Sequence, residues 1–125
     1  MKKLTDKEFD KIVKRAIHRI PFEIRKHLDN VQISVLSRPS RKMLEEMDLP
    51  RHETLLGLFW GVPLSEQSIT IPPLFPATIF IFHEPLQEIC ETIDELEKQI
   101  EITVVHEIAH AIGIDEDRLS ELGYG

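Results

Sequence analysis

Two histidines and a glutamate near the end of the chain form the clearest chemical pattern in the sequence. His106, Glu107 and His110 stand in the order H-E-x-x-H. In a helix, residues four positions apart lie about 40° apart around the axis, so both imidazoles can reach one metal ion. Imidazole nitrogen is a preferred ligand of Zn²⁺, and the adjacent glutamate can take a proton from a metal-bound water. The pattern predicts one zinc ion per chain, with Glu107 as general base and acid.

A third ligand must complete such a site, because a catalytic zinc keeps three protein ligands and one open position. The acidic run Asp115-Glu116-Asp117 follows Gly113, where a left-handed C-cap would turn the chain back. Glu116 lies ten residues after His106. An H-E-x-x-H-x-x-G-x-x-H pattern places its third ligand at that offset, and we therefore predict Glu116 as the third ligand.

The elements that must position these residues can be predicted from the apolar spacing. Thr5 and Glu8 form a capping box that begins an N-terminal helix. A second helical pattern starts at Leu86 and runs without Gly or Pro to Gly113, so it carries the motif. Residues 40–47 are predicted to form a brief helix. Four segments are predicted as strands, the second and third as an antiparallel hairpin and the fourth inside the sheet: 31–35, 55–61, 68–71 and 78–82.

The length of 125 residues and the mixture of helix and strand patterns, with no linker or repeat between them, indicate one α+β domain over residues 1–125. The chain has 42% hydrophobic and 30% charged residues, as ordinary globular proteins do. Its net charge of −7 opposes binding to nucleic acid and to anionic membranes. The start has no apolar segment typical of a secretion signal, and Cys90, as the single cysteine, cannot form an internal disulfide. A cytoplasmic protein is the resulting expectation.

Several segments together resemble the minimal zincin-like metallopeptidases of bacteria: Leu55-Leu56-Gly57-Leu58, Gly61-Val62-Pro63-Leu64, His83-Glu84-Pro85-Leu86, the stretch from Thr103 to His110, and Arg118 to Tyr124. The resemblance implies a compact α+β fold with a single zinc. A small mixed sheet of about three to four strands would pack against the N-terminal helix and the C-terminal H-E-x-x-H helix.

The family's signature, as the resemblance conveys it, is H-E-x-x-H-x-x-G-x-x-D, which maps onto His106, Glu107, His110, Gly113 and Glu116. Here Glu stands where the signature has Asp. The longer side chain leaves open whether Glu116 or its neighbour Asp115 makes the metal bond. Asp115 is also a good N-cap for a following helix.

The reaction predicted from these residues is zinc-dependent hydrolysis of a peptide bond in a peptide or protein substrate. An extended substrate would add alongside an exposed strand edge. So small a domain leaves a shallow cleft, and selection of substrates would then need a partner protein or an oligomer. His83 and Tyr124 are candidate contacts to the substrate or transition state. A loop histidine without such a role is at least as common, and an aromatic near a terminus more often covers the edge of a core.

Two other functions compete with the peptidase prediction. In one, the zinc is structural or the site inert, and the domain serves as an interaction module. In the other, the zinc-dependent hydrolysis acts on a non-peptide substrate such as RNA, which the acidic charge balance disfavours. A carboxylate between the two histidines favours the enzyme, since a purely structural site does not need it.

Overall fold

The computed structural model describes residues 1–46, 55–61 and 77–124. Within these ranges lie six α-helices, a 3-10 turn and three strands, which confirms the α+β fold class. In chain order they are α1 (Asp6–Arg19), α2 (Phe22–Arg25), the 3-10 turn (Lys26–Leu28), β1 (Val31–Leu36), α3 (Arg41–Glu46), β2 (Gly57–Trp60), β3 (Ala77–Phe82), α4 (His83–Glu88), α5 (Ile93–Ile112) and α6 (Glu116–Glu121).

Helix α1 begins with the predicted capping box. The Thr5 hydroxyl accepts from the Glu8 amide at 3.2 Å, and the Glu8 carboxylate accepts from the Thr5 amide at 3.1 Å. On the outer face, Arg15 and Arg19 pair with Glu97 of α5 at 2.7 and 2.8 Å. The apolar residues at helical spacing are buried and fasten α1 to the core: Phe9, Ile12, Val13 and Ala16.

The three strands form one mixed sheet in the order β1-β3-β2. β1 runs parallel to β3, and β2 runs antiparallel to it. Ile79 and Ile81 of β3 are fully buried, as predicted for a strand inside the sheet. The predicted hairpin joins 55–61 to 68–71, and the latter segment lies outside the described residues; the antiparallel neighbour of β2 that the structure shows is β3.

The helical pattern that begins at Leu86 is divided into two helices, which corrects the prediction of one continuous run. α4 ends at Glu88, and α5 begins after Thr92. The Thr92 hydroxyl accepts from the Glu95 amide at 3.1 Å, and the Glu95 carboxylate accepts from the Glu91 amide at 2.9 Å. These local bonds start a new helix, because threonine competes for backbone groups at a helix end.

Helix α5 lies against α1 and the sheet and contributes much of the core. Its residues Leu96, Ile100, Val104 and Ile108 are fully buried. Gly113 ends the helix with φ of 79°, in the left-handed conformation predicted for a C-cap. Across the described parts of the chain, no helix combines the length and apolar character needed to cross a membrane.

The Thr92 cap gives a first prediction. Replacing Thr92 with Ala removes the oxygen that accepts from the Glu95 amide. We expect the free energy of unfolding, measured by urea denaturation, to fall by about 1 kcal/mol. Thr92→Ser keeps a capping hydroxyl and should retain most of that stability. An equal loss in both variants would show that the cap is not the cause.

Candidate metal centre

The motif residues lie in the last two turns of α5. His106 and Glu107 are half-buried, and His110 is exposed. Between them, Ile108 and Ala109 are fully buried in the core. Packing on the apolar side therefore fixes the rotation of the helix and leaves the polar motif residues at the boundary between the core and solvent.

The Glu107 carboxylate is held by the backbone of β2. Its Oε1 accepts a hydrogen bond from the Phe59 amide at 2.8 Å. Strand amides alternate in direction, and the Leu56 carbonyl accepts from the Phe82 amide of β3. Phe59 lies an odd number of residues after Leu56, so its amide points to the opposite side of the strand, away from β3. Glu107 lies on that side and accepts the hydrogen bond.

Gly57 allows β2 to lie this close to α5. A Cβ atom built on Gly57 would lie 2.5 Å from Thr103 Cγ2 and 3.1 Å from the Phe80 carbonyl oxygen. The motif itself does not predict Gly57 or the Phe59 amide as part of the site. A glycine inside an apolar strand is the one available sequence signal, since it often marks a close backbone approach.

The surroundings of Glu107 raise its pKa above the ordinary value for a glutamate. Burial is the largest cause, since it disfavours the charged form. The Phe59 amide opposes this shift, as do His110 and then His106. A carboxyl with a raised pKa holds a proton more readily, which suits a group that must take up a proton and release it again.

His106 is held by the segment that follows α6. Its Nε2 lies 2.6 Å from the carbonyl oxygen of Tyr124. A carbonyl can only accept, so the proton of this hydrogen bond belongs to Nε2. In the neutral ring, Nδ1 then carries the lone pair that could bind a metal ion.

The Tyr124 side chain is buried beside Glu101 of α5. Its hydroxyl donates to Glu101 Oε2 at 2.7 Å, and only 6% of the residue is exposed. Glu101 itself is 3% exposed and pairs with Arg19 at 3.1 Å. Glu101 is a residue that the motif did not point to. The Tyr124 hydroxyl is engaged with Glu101, and its predicted contact with substrate stays a prediction.

The two candidate third ligands lie at the start of α6. Asp115 is its N-cap, with Oδ1 accepting from the Arg118 amide at 2.8 Å. Glu116 is the first residue of the helix and is exposed. Over residues 1–46, 55–61 and 77–124, no three His, Cys, Asp or Glu side chains come close enough together to hold a metal ion. The structure thus brings His106 and His110 together on one helix without adding either carboxylate.

His83 lies elsewhere, at the first position of α4. It is 3% exposed, and its ring stacks on Phe9 of α1 with 4.1 Å between the ring centroids. Its Nε2 lies 2.8 Å from Gln87 Oε1, and its Nδ1 lies 3.8 Å from Asp6. These contacts hold the ring between α1 and α4, and a contact with substrate stays a prediction.

Comparison with known proteins identifies the family. A model of the zincin-like metallopeptidases matches residues 28–125. The chain belongs to the zincin-like metallopeptidase family. This zincin-like fold is similar to the structure of a conserved hypothetical protein from Thermus thermophilus, with a TM-score of 0.56 and 17% identity. The similarity covers 95% of this chain and 97% of that one. None of the curated proteins matches the chain.

The fit between β2 and α5 in this zincin-like domain gives a second prediction. Gly57→Ala places a methyl group against Thr103 Cγ2, so the strand or helix must shift. We expect the free energy of unfolding to fall by about 1–3 kcal/mol in urea denaturation. Adding Thr103→Ser removes the opposing methyl group and should recover part of the loss. No recovery in the double variant would contradict this cause.

Tyr124 gives a third prediction, because it is the single tyrosine and its absorbance reports on it alone. Burial, the hydrogen bond to Glu101 and the charge of Glu101 raise its pKa, and Arg19 opposes the shift. Lys98, 5.6 Å from the ring centroid, is the other charged group facing it. The unfolded chain therefore loses this proton first, and stability should fall as pH rises above about 10.

The measurement is an absorbance titration of tyrosinate in the folded protein and in urea. We expect tyrosinate to form at higher pH in the folded protein than in the unfolded chain. Equal titration curves in the two states would show that the phenol is not buried against Glu101.

Proposed function

We propose that this protein is a zinc-dependent metallopeptidase that hydrolyses peptide bonds, with its site on the last turns of α5. The observation that carries the proposal is the placement of Glu107 between His106 and His110, half-buried, with Oε1 held by the edge of β2. Membership of the zincin-like metallopeptidase family supports the same reaction class.

The donor chemistry of the two histidines fits zinc. Neutral imidazoles four residues apart in a helix are suitable ligands, and His106 has its Nε2 proton already engaged by a carbonyl. Glu116 would supply the third ligand, since Asp115 is used as the N-cap of α6. Bound zinc, one ion per chain, would polarise the scissile carbonyl and lower the pKa of the attacking water.

Glu107 would move the protons. The Phe59 amide holds Oε1, which leaves Oε2 to accept a proton from the attacking water. The raised pKa of the carboxyl then helps Glu107 keep that proton until it passes to the leaving amine. One carboxylate would thus serve as base and then as acid.

An extended substrate would lie along the side of β2 that faces away from β3. Within the described ranges β2 pairs with β3 alone, and its other side faces Glu107 through the Phe59 amide. Adding a peptide strand to such an edge supplies backbone hydrogen bonds that do not depend on the substrate's side chains. This arrangement would bring a peptide bond next to Glu107.

A second candidate is an interaction module that does not hydrolyse anything. The observation that favours it is that, in the part of the chain described, neither Asp115 nor Glu116 joins the two histidines in a group of three. The zincin-like fold would then present a binding surface, and Glu107 would serve only to fasten β2 to α5.

The test of the proposed function, and our fourth prediction, measures zinc content and peptide cleavage in the same samples. We expect about one zinc per chain in the wild type and its loss in His110→Ala, because only one histidine ligand remains. Glu107→Gln should keep zinc but lower turnover of a quenched fluorescent peptide library by about 100-fold or more. Glu116→Ala should weaken zinc binding, while Asp117→Ala, a neighbouring acidic residue outside the predicted ligands, serves as the matched control.

The outcomes separate the two candidates. No zinc in the wild type after supplementation and dialysis would refute the metallopeptidase. Zinc bound without cleavage of any library peptide would leave the interaction module. Zinc loss in Asp115→Ala but not in Glu116→Ala would assign the third ligand to Asp115.

A further inference from the structure

We propose that the edge of β1 that faces away from β3 binds an extended segment of a partner protein, with an arginine of that segment held by Asp6, Asp10 and His83. β1 and β2 lie at opposite edges of the sheet, so this surface is not the one at which β2 meets Glu107. The inference goes beyond the proposed function and depends neither on zinc nor on hydrolysis. It describes the kind of segment that a partner protein would present to this domain.

The side of β1 that faces away from β3 has no strand partner in the described parts of the chain, where β1 pairs with β3 alone. Within β3, the Phe82 amide donates to the Leu56 carbonyl, on the side of β2. Backbone groups alternate in direction along a strand, so those of Ile81 point the other way, to β1.

The register then shows which backbone groups of β1 face outward. Ile81 lies opposite Val35. In a parallel pair, such a residue bonds to the two neighbours of its register partner, here Ser34 and Leu36. The N–H and C=O of Val35 therefore point away from β3, and so do those of Ile33, two residues earlier. An added strand can use these groups, because an unpaired strand edge is a template for another extended chain.

A cavity of about 350 Å³ lies along this edge. It is lined by five consecutive residues, from Ile33 to Ser37, and by Asp6, Asp10 and His83. Successive side chains of a strand point to opposite faces, so consecutive residues line one cavity where their shared backbone edge borders it. The volume is that of an ordinary ligand pocket. The cavity thus brings the backbone groups of β1 next to acidic side chains of α1.

His83 contributes a buried acceptor to the cavity. Gln87 fixes the ring, since its Oε1 accepts from the Leu4 amide at 3.2 Å and its Nε2 donates to the Lys2 carbonyl at 2.7 Å. With the amide in this orientation, the 2.8 Å contact between Gln87 Oε1 and His83 Nε2 requires a proton on Nε2. In the neutral ring, Nδ1 then carries a lone pair. Among the described residues its closest charged partner is Asp6, and the 3.8 Å between them exceeds a hydrogen bond. His83 is 3% exposed, so a donor that satisfies this lone pair must enter the cavity.

The two aspartates make the cavity acidic. Asp6 and Asp10 are four residues apart on α1, and both are exposed. In the part of the chain that the structure describes, neither pairs with a lysine or an arginine. Arg38, which follows the end of β1, is paired with Glu84 and Glu88. The charge of the cavity therefore complements a cationic side chain.

A guanidinium fits these acceptors better than a metal ion or an ammonium does. The described residues, with Asp6, Asp10 and His83 among them, form no group of three that is close enough to hold a metal ion. A guanidinium presents several N–H donors in a planar fork and can reach separated acceptors, whereas an ammonium is a compact point charge. Alternate side chains of an added strand point to one face, so one arginine can reach α1 while the backbone bonds to Ile33 and Val35.

The experiment, and our fifth prediction, uses the full chain and the capped heptapeptide Ser-Val-Thr-Arg-Thr-Val-Ser as the probe. In the free protein, ¹H–¹⁵N NMR should show faster hydrogen exchange at the amides of Ile33 and Val35 than at those of Ser34 and Leu36, which bond to β3. We expect the heptapeptide to bind and to slow exchange at the first two amides. The same peptide with citrulline in place of arginine keeps the shape without the charge, and its Kd should be about 10-fold higher or more.

Matched variants of the protein test the acceptors. The double variant Asp6→Asn, Asp10→Asn should raise the Kd for the arginine peptide about 10-fold or more, because an amide is a weaker acceptor than a carboxylate. Asp94→Asn removes the same charge from the first turn of α5, outside the cavity, and should leave the Kd unchanged. His83→Phe keeps a ring that can stack on Phe9 but loses Nδ1, and should also raise the Kd. If His83→Phe does not fold, the exposed aspartate pair decides.

A smaller probe separates strand addition from capture of a lone cation. N-acetylarginine methylamide carries the same guanidinium without an extended backbone, and we expect it to bind about 10-fold more weakly than the heptapeptide or worse. Equal binding of the two would refute the added strand.

The other contrary outcomes are equally definite. Slow exchange of the Ile33 and Val35 amides in the free protein would show that this edge is already covered. No binding of the heptapeptide, or the same Kd for the arginine and citrulline peptides, would overturn the inference, and so would an unchanged Kd in the double aspartate variant. Zinc content enters none of these measurements, so failure of the proposed function would leave this test intact.

Discussion

Burial of one face of α5 is the constraint on which the candidate site depends. Ile100, Val104 and Ile108 are fully buried against α1 and the sheet. Each such side chain contributes about 1.5–3 kcal/mol when removed from water. Any rotation of α5 would expose these residues, so the helix has one orientation. That orientation leaves His106 and Glu107 at the boundary between core and solvent.

The close approach of β2 to α5 determines the hydrogen bonding and the pKa of Glu107. Because Gly57 has no side chain, the strand can lie against Thr103 and present the Phe59 amide to Glu107. The same proximity removes water from the carboxylate, which is why burial raises the pKa of Glu107 despite the amide and the two histidines nearby. Strand packing thus sets both the position and the proton affinity of the proposed base.

Much of the fold could be predicted because its signals are local. The capping box at Thr5, the buried β3 and the left-handed Gly113 each depend on a few neighbouring residues, and the structure confirms all three. The break before α5 was missed because a helical apolar pattern continues across it, while the Thr92 cap acts through a single side-chain oxygen. The contact of the Phe59 amide with Glu107 and the burial of Glu101 depend on other segments of the chain, and Gly57 is the one local signal for the first of them.

The sequence by itself determined the motif and its carrier: spacing within one helix is fixed by helix geometry, so H-E-x-x-H places His106, Glu107 and His110 together wherever α5 lies. The tertiary structure alone decided their partners. The β2 edge meets Glu107 and the Tyr124 carbonyl meets His106 because two other segments of the chain, β2 and the segment after α6, pack on the same helix. Contacts between such segments depend on how the whole core packs, and no short sequence pattern predicts them.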